Sequence, residues 1–344
     1  MQSVSLHRQL PHPTDLLIHG SHPHPSSGVL NGLLSTQEQK MDAIAEGAVA
    51  PLTHLVESSA HLEVITLSTK ALGSLVQVSQ GRKEVVKIGM VAITEALKKS
   101  PEAAAGAIRQ FVSSNDGVLL LLAEPSLLNL VVTALVALAE RSTDELVNVH
   151  AFINAAAALA SICTTDAGIV SSLENNVPSV IVALVNRGLD GDLKFDPKLN
   201  DLLEAGAFCL AQCSHFPQGR KVVREAGGVE AISTILHVAQ FSRAPLVAAT
   251  TALMAVSVEE ESKLPLMKSG GGRLVALLRG EDEQLSSNAR AALTSSCENL
   301  EARKIMALML SEADQKTILF RGPLPPTPPD FRYTVLLAGP QQRR

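Results

Sequence analysis

Three groups of residues have types and spacings that point to chemistry. Cys209 and Cys213 lie one helical turn apart with His215 close behind, and thiolates with an imidazole are zinc ligands. Asp190, Asp192 and Asp196 share the polar stretch 187–198, and carboxylate oxygens are what calcium takes. Gly270-Gly271-Gly272 runs into an apolar segment, as a phosphate-cradling helix start does.

Each group falls short. Zinc sites usually pair Cys-x-x-Cys motifs; this chain has none, and Cys209 stands where a small core residue belongs. The Asp spacing departs from the EF-hand loop, which needs Gly at its sixth position and Glu at its twelfth. The triple glycine lacks a following Lys-Ser or Lys-Thr, and no serine lies in a Gly-x-Ser-x-Gly elbow. The acidic runs Glu259-Glu260-Glu261 and Glu281-Asp282-Glu283 read as solvated charges in inter-helix links. His22 and His24, within the Pro- and Ser-rich residues 1–36, read as part of an extended arm rather than a metal site. No catalytic residue, metal, cofactor or small-molecule substrate is expected. The chain does not read as an enzyme.

Composition narrows the partners. Of 344 residues 46% are hydrophobic, the net charge of −5 is dispersed, Trp is absent and only eight Phe and one Tyr occur. A missing basic face and missing stacking platforms argue against nucleic acid. Four cysteines without a disulfide framework suit a reducing, cytoplasmic compartment. Residues 1–30 lack the continuous apolar core of a secretory signal. A mitochondrial presequence is the weaker reading, since Arg8 is the only Arg there and four prolines break any helix. The apolar run Val118–Ala139 is interrupted by Glu124, Pro125 and Asn129, so it reads as a repeat helix and not as a membrane span.

The elements that position any site recur along the chain. A small-residue turn precedes an apolar helix at Gly47, Gly89, Pro125, Asn176, Gly227 and Gly270, spaced 36 to 51 residues apart. Armadillo and HEAT repeats run roughly 40–47 residues. Each turn leads into a helix such as Leu52, Leu55, Val56 or Ile232, Ile235, Leu236. A longer helix comes next, anchored by a small residue and a Leu or Ile: Ala71-Leu72, Ala107-Ile108, Ala158-Leu159, Cys209-Leu210, Ala252-Leu253, Ala292-Leu293. A polar segment then opens the next unit, and Gln80-Gly81-Arg82-Lys83 returns as Gln218-Gly219-Arg220-Lys221.

These turns and anchors, Glu225-Ala226-Gly227-Gly228-Val229 above all, resemble the armadillo-repeat family. The resemblance implies an all-α, right-handed superhelix of about six three-helix repeats over 37–310, with extended arms at 1–36 and 311–344. It also implies a groove lined by the third helices and a role in holding other proteins. Family members that clamp extended peptides carry an Asn two residues after the anchor Leu. Here those groove positions hold Ser74, Gln110, Ser161, Gln212, Ala255 and Ser295. None is the family's Asn, and the Ser and Ala among them cannot supply its rigid pairing of donor and acceptor on one amide, so reading of nuclear-localisation peptides is not expected.

Per-repeat insertions often mark a binding face, and Phe195 in the 187–198 insertion is a candidate anchor. In the tail, Phe331, Tyr333, Leu336 and Leu337 come after a Pro-rich stretch that favours polyproline II and are expected to dock, either on a partner, which is the favoured reading, or back onto the last repeat. The expectation is a structural subunit of a multi-subunit cytoskeletal assembly, such as a ciliary radial spoke. A soluble adaptor for peptides or helices and a regulatory subunit of an enzyme remain the alternatives.

Overall fold

A computed structural model describes residues 34–141, 149–190, 198–238 and 242–310. All regular structure among them is α-helical. The chain divides into two compact units, ending and beginning at Ile162 and Cys163.

The first unit holds three helix triplets: α1 (Gln37–Ala45), α2 (Val49–Ser58) and α3 (Leu62–Leu75); α4 (Ser79–Ile88), α5 (Met90–Ala96) and α6 (Pro101–Val112); α7 (Asn115–Leu122), α8 (Pro125–Ala139) and α9 (Val149–Ile162). The second holds α10 (Asp166–Glu174), α11 (Val177–Asp190) and α12 (Leu199–Cys213); α13 (Pro217–Glu225), α14 (Gly228–His237) and α15 (Arg243–Val256); α16 (Glu260–Ser269), α17 (Gly271–Leu278) and α18 (Glu283–Ser296). A single further helix, α19 (Leu300–Met309), closes it. The repeat expectation is met: the turn precedes the second helix of every triplet and the small-residue anchor sits on the third.

Within each unit equivalent helices stack on equivalent helices. The closest packing joins third helices, α3 to α6 to α9 in one unit and α12 to α15 to α18 in the other. Their anchors explain this: Ala71, Ala107, Cys209, Ala252 and Ala292 are buried, and a Cβ on Gly73 would lie 3.2 Å from Ala107. Leu72, Ile108, Phe111, Leu210, Leu253 and Leu293 fill the core beside them with no exposed surface. Each such side chain contributes about 1.5–3 kcal/mol of burial.

The recurring turn is less uniform than its sequence. Gly47 and Gly227 adopt a left-handed φ of 79°, and Asn176 comes close at 57°, a conformation open mainly to Gly and Asn. Gly89 and Gly270 stay at −106° and −121°, and Pro125 begins α8 directly. Two further readings change. The run Val118–Ala139 spans two helices, α7 and α8, which meet at a 112° bend; no described helix is long and apolar enough to cross a membrane. The acidic runs are not free links. Glu259 precedes α16, Glu260 and Glu261 form its first turn, and Asp282 caps α18 through the N–H groups of Gln284 and Leu285. Carboxylates collect there because helix N-termini are electropositive.

Candidate functional site

The third-helix face is the first candidate. Ser74, Ser161, Gln212, Ala255 and Ser295 are half-buried and Gln110 is exposed. The hydroxyls are turned onto their own chain: Ser74 Oγ donates to the Lys70 carbonyl at 3.2 Å and Ser161 Oγ to that of Ala157 at 3.0 Å. Ser295 Oγ donates to the Ser257 carbonyl at 2.7 Å, tying α18 to the end of α15. Gln110 Oε1 accepts from Gln77 Nε2 at 3.1 Å, and Arg109 reaches Asn154 on α9 at 3.0 Å. Gln110 and Ser295 thus tie neighbouring repeats together, while Ser74 and Ser161 bond within their own helices.

The corner between each third helix and the next first helix carries the most regular chemistry. Seven residues before each repeat turn stand Lys40, Arg82, Val118, Ile169, Arg220 and Lys263, and Arg303 occupies the same register in α19. Arg82 Nη1 donates to the Val76 carbonyl at 2.9 Å, Arg220 Nη1 to that of Ser214 at 3.1 Å, and Arg303 Nε to that of Cys297 at 2.7 Å. Each Arg thus caps the carbonyl six residues behind it, where the preceding helix presents unpaired acceptors. Arg82 also pairs with Asp116 at 3.2 Å. Hydrogen bonding from Ser79, and Arg82 beside it, hold the Asp116 carboxyl below its usual range. Lys263 is nearly buried and pairs with Glu260 at 2.8 Å and Glu298 at 2.7 Å. Burial works against its charge, and the two carboxylates more than offset that and raise its pKa.

A glycine just before the register position closes the corner ahead of Arg82, Val118 and Arg220, whereas Ala302 precedes Arg303. A Cβ on Gly81 would lie 2.1 Å from the Leu75 carbonyl oxygen, one on Gly117 1.8 Å from that of Phe111, and one on Gly219 1.9 Å from that of Cys213. Only hydrogen fits at such a distance.

The cysteines behave differently from their sequence reading. Cys209 and Cys213 are buried as expected, but a third thiol joins them: Cys163 Sγ lies 3.7 Å from Cys213 Sγ, and all three sulfurs fall within 4.8 Å of one another. Ser172 Oγ, also buried, is 3.1 Å from Cys163 Sγ. Hydrogen bonds from Cys209 and Cys213 favour the thiolate of Cys163, while the bond to Cys163 and burial push Cys209 and Cys213 up.

Two open clefts lie on the surface of the second unit. One is bordered by Pro217, Gln218, Lys221 and Glu259, the other by Arg243, Asp282 and Ser287. Their charges are engaged with neighbours: Arg224 with Glu259 at 3.2 Å, and Arg243 with Asp282.

No family model and no curated protein matches the sequence. Solved structures do match. A designed armadillo repeat protein superposes with a TM-score of 0.58 at 16% identity, covering 72% of this chain and 99% of its own. A second, solved in complex with the peptide (KR)4, gives 0.58 at 17% identity over 72% and 99%. Armadillo repeat proteins designed for modular peptide recognition give 0.50 at 19% identity over 83% and 99%.

The fold is an armadillo-like repeat solenoid.

Within that solenoid the expected site residues separate. The six groove positions line up along third helices in each unit, as their register requires. Phe195, Phe331, Tyr333, Leu336 and Leu337 lie outside the described residues, as do Asp192 and Asp196. The sequence reading missed Cys163, although a signal was present. It precedes Cys209 and Cys213 by 46 and 50 residues, about one repeat, and residues one repeat apart are neighbours in a solenoid.

Proposed function

We propose that the protein is a non-catalytic scaffold that holds other proteins, acting as a structural subunit of a larger cytoskeletal assembly of the axonemal, radial-spoke-like kind in the cytoplasm. The armadillo-like fold supports protein partners, because such solenoids offer long surfaces built from repeated helices. One observation carries the choice of subunit over peptide receptor. The third-helix positions that would clamp a peptide spend their hydroxyls on the chain's own carbonyls, at Ser74, Ser161 and Ser295. Affinity then has to come from surfaces other than a ladder of amides: the insertion around Phe195 and the tail around Phe331, Tyr333, Leu336 and Leu337.

A soluble adaptor is the second reading, and the neighbour solved with a (KR)4 peptide favours it. Affinity capture from the native source with quantitative mass spectrometry separates the two. A subunit brings down the same proteins in fixed stoichiometry through salt washes, and removal of residues 321–344 releases them. An adaptor exchanges its partners, and Gln212→Glu weakens capture while the tail deletion does not. Capture with one enzyme alone would instead make the chain that enzyme's regulatory subunit.

A further inference from the structure

We propose that Cys163, Cys209 and Cys213 form a zinc site inside the second unit, with the Ser172 hydroxyl as fourth donor. In a tetrahedral site with Zn–S bonds of about 2.3 Å, sulfurs stand about 3.8 Å apart. Cys163 and Cys213 already lie 3.7 Å apart, and the most distant pair of the three needs to close from at most 4.8 Å. Ser172 Oγ, 3.1 Å from Cys163, is within reach of the same centre.

Packing does not account for three sulfurs here. The register positions equivalent to Cys209 are all Ala (Ala71, Ala107, Ala158, Ala252, Ala292), and those equivalent to Cys213 are mostly large and apolar, including Leu75, Phe111, Ile162 and Val256. Positions equivalent to Cys163 hold Val76, Val112, Ser214, Ser257 and Cys297. Only one interface in the described structure places sulfur at all three. Cys297 provides the contrast: it is buried beside Met306 Sδ at 3.1 Å, and among the described residues no third helix of a further repeat follows to bring two more thiols against it.

Charge selects the metal. Binding displaces three thiol protons to solvent, and a divalent ion leaves the centre at −1 with the Ser172 proton retained. A monovalent soft ion such as Cu(I) would leave −2 in a fully buried pocket, which is the costlier state. All three sulfurs are shielded from solvent, so the ion enters as the unit folds.

The test refolds the reduced full chain in zinc, removes loosely held metal, and measures zinc content. It then exchanges zinc for cobalt and records the thiolate-to-cobalt charge-transfer absorption. Cys209→Ala and Cys163→Ser restore residues that equivalent positions already carry, so these variants retain the fold; Cys297→Ser is the control. The expected result is one zinc per chain with a tetrahedral cobalt spectrum in the wild type and in Cys297→Ser. Affinity should fall by more than the roughly 10–100-fold that an outer-shell partner costs in Cys209→Ala and Cys163→Ser. A wild type that takes up neither metal overturns the proposal. So does equal uptake by Cys209→Ala, which would assign the metal to the five histidines of residues 1–36.

Discussion

Gly81, Gly117 and Gly219 are needed for space rather than for backbone freedom. Their missing Cβ atoms would lie about 2 Å from carbonyl oxygens fixed in the preceding helix, and neither backbone segment can retreat without opening the corner. Gly81→Ala and Gly219→Ala should each cost about 3 kcal/mol or more, read as a fall in thermal midpoint. Gly272→Ala meets nothing within 4 Å in α17, so it should be neutral or stabilise by up to about 1 kcal/mol. Equal effects at all three positions would contradict the corner argument.

Titration belongs to this scale too. Asp116, Glu260 and Asp282 are all held below their ordinary values of 3.8, 4.5 and 3.8, by Ser79, Lys263 and Arg243 respectively. A carboxylate with a lowered folded pKa adds stability above its unfolded pKa, and that stability is lost as pH falls through the folded value. Thermal midpoints should therefore hold from pH 7 to about 5 and decline below 4.5. Ser79→Ala should move the Asp116 titration, followed by NMR, upward toward 3.8.

Among elements, the third-to-first helix corner divides the repeats into three kinds, and in one of them Lys40 bonds the Gln77 side chain and Lys263 those of Glu260 and Glu298. Arg caps it at Arg82, Arg220 and Arg303, while Val118 and Ile169 hold the same register without a charge. Arg220→Met keeps the apolar stem and removes the cap. It should cost about 1 kcal/mol and speed amide exchange in the last turn of α12, detected by hydrogen–deuterium mass spectrometry. The end of α6, where Val118 stands in place of Arg, should exchange faster than the end of α3 in the unaltered protein. Half of this was legible beforehand: Gln80-Gly81-Arg82-Lys83 and Gln218-Gly219-Arg220-Lys221 announced a repeated element. Its purpose was hidden because the partner is a main-chain oxygen, which has no letter in a sequence.

At the level of the molecule, the repeat count and the three-helix plan were legible because stacking demands the same small residue at the same step. The turn conformations were not, since Gly47 and Gly89 read alike and differ in φ. The acidic runs also misled, because a Glu opening a helix and a Glu in a loop share composition and differ only in their downstream neighbours. The thiol cluster was missed for another reason: its members come from different repeats, and only counting by repeat rather than by motif spacing brings Cys163 to Cys209 and Cys213. Helix α19 buries Ala302 and Met306 against the last repeat while Leu308 is 89% exposed. Ending the chain at residue 298 should uncover Leu266 and Met267, which are buried, and give a species that self-associates in size-exclusion chromatography. A monodisperse product of unchanged melting temperature would show α19 to be dispensable.

The Arg corner also says where this chain can be cut. The caps at Arg82 and Arg220 each join an Arg to a carbonyl six residues back, and both partners lie between two successive repeat turns. A block from one turn to the next therefore carries its own seam intact. Blocks cut between third and first helices would sever it. Excising residues 228–270 should leave a shorter array that folds, and a same-sized excision from 215 to 257, which starts just after the Ser214 carbonyl and takes Arg220 with it, should not. The unit of inheritance in such an array would then be second–third–first, one helix out of phase with the triplet seen by eye.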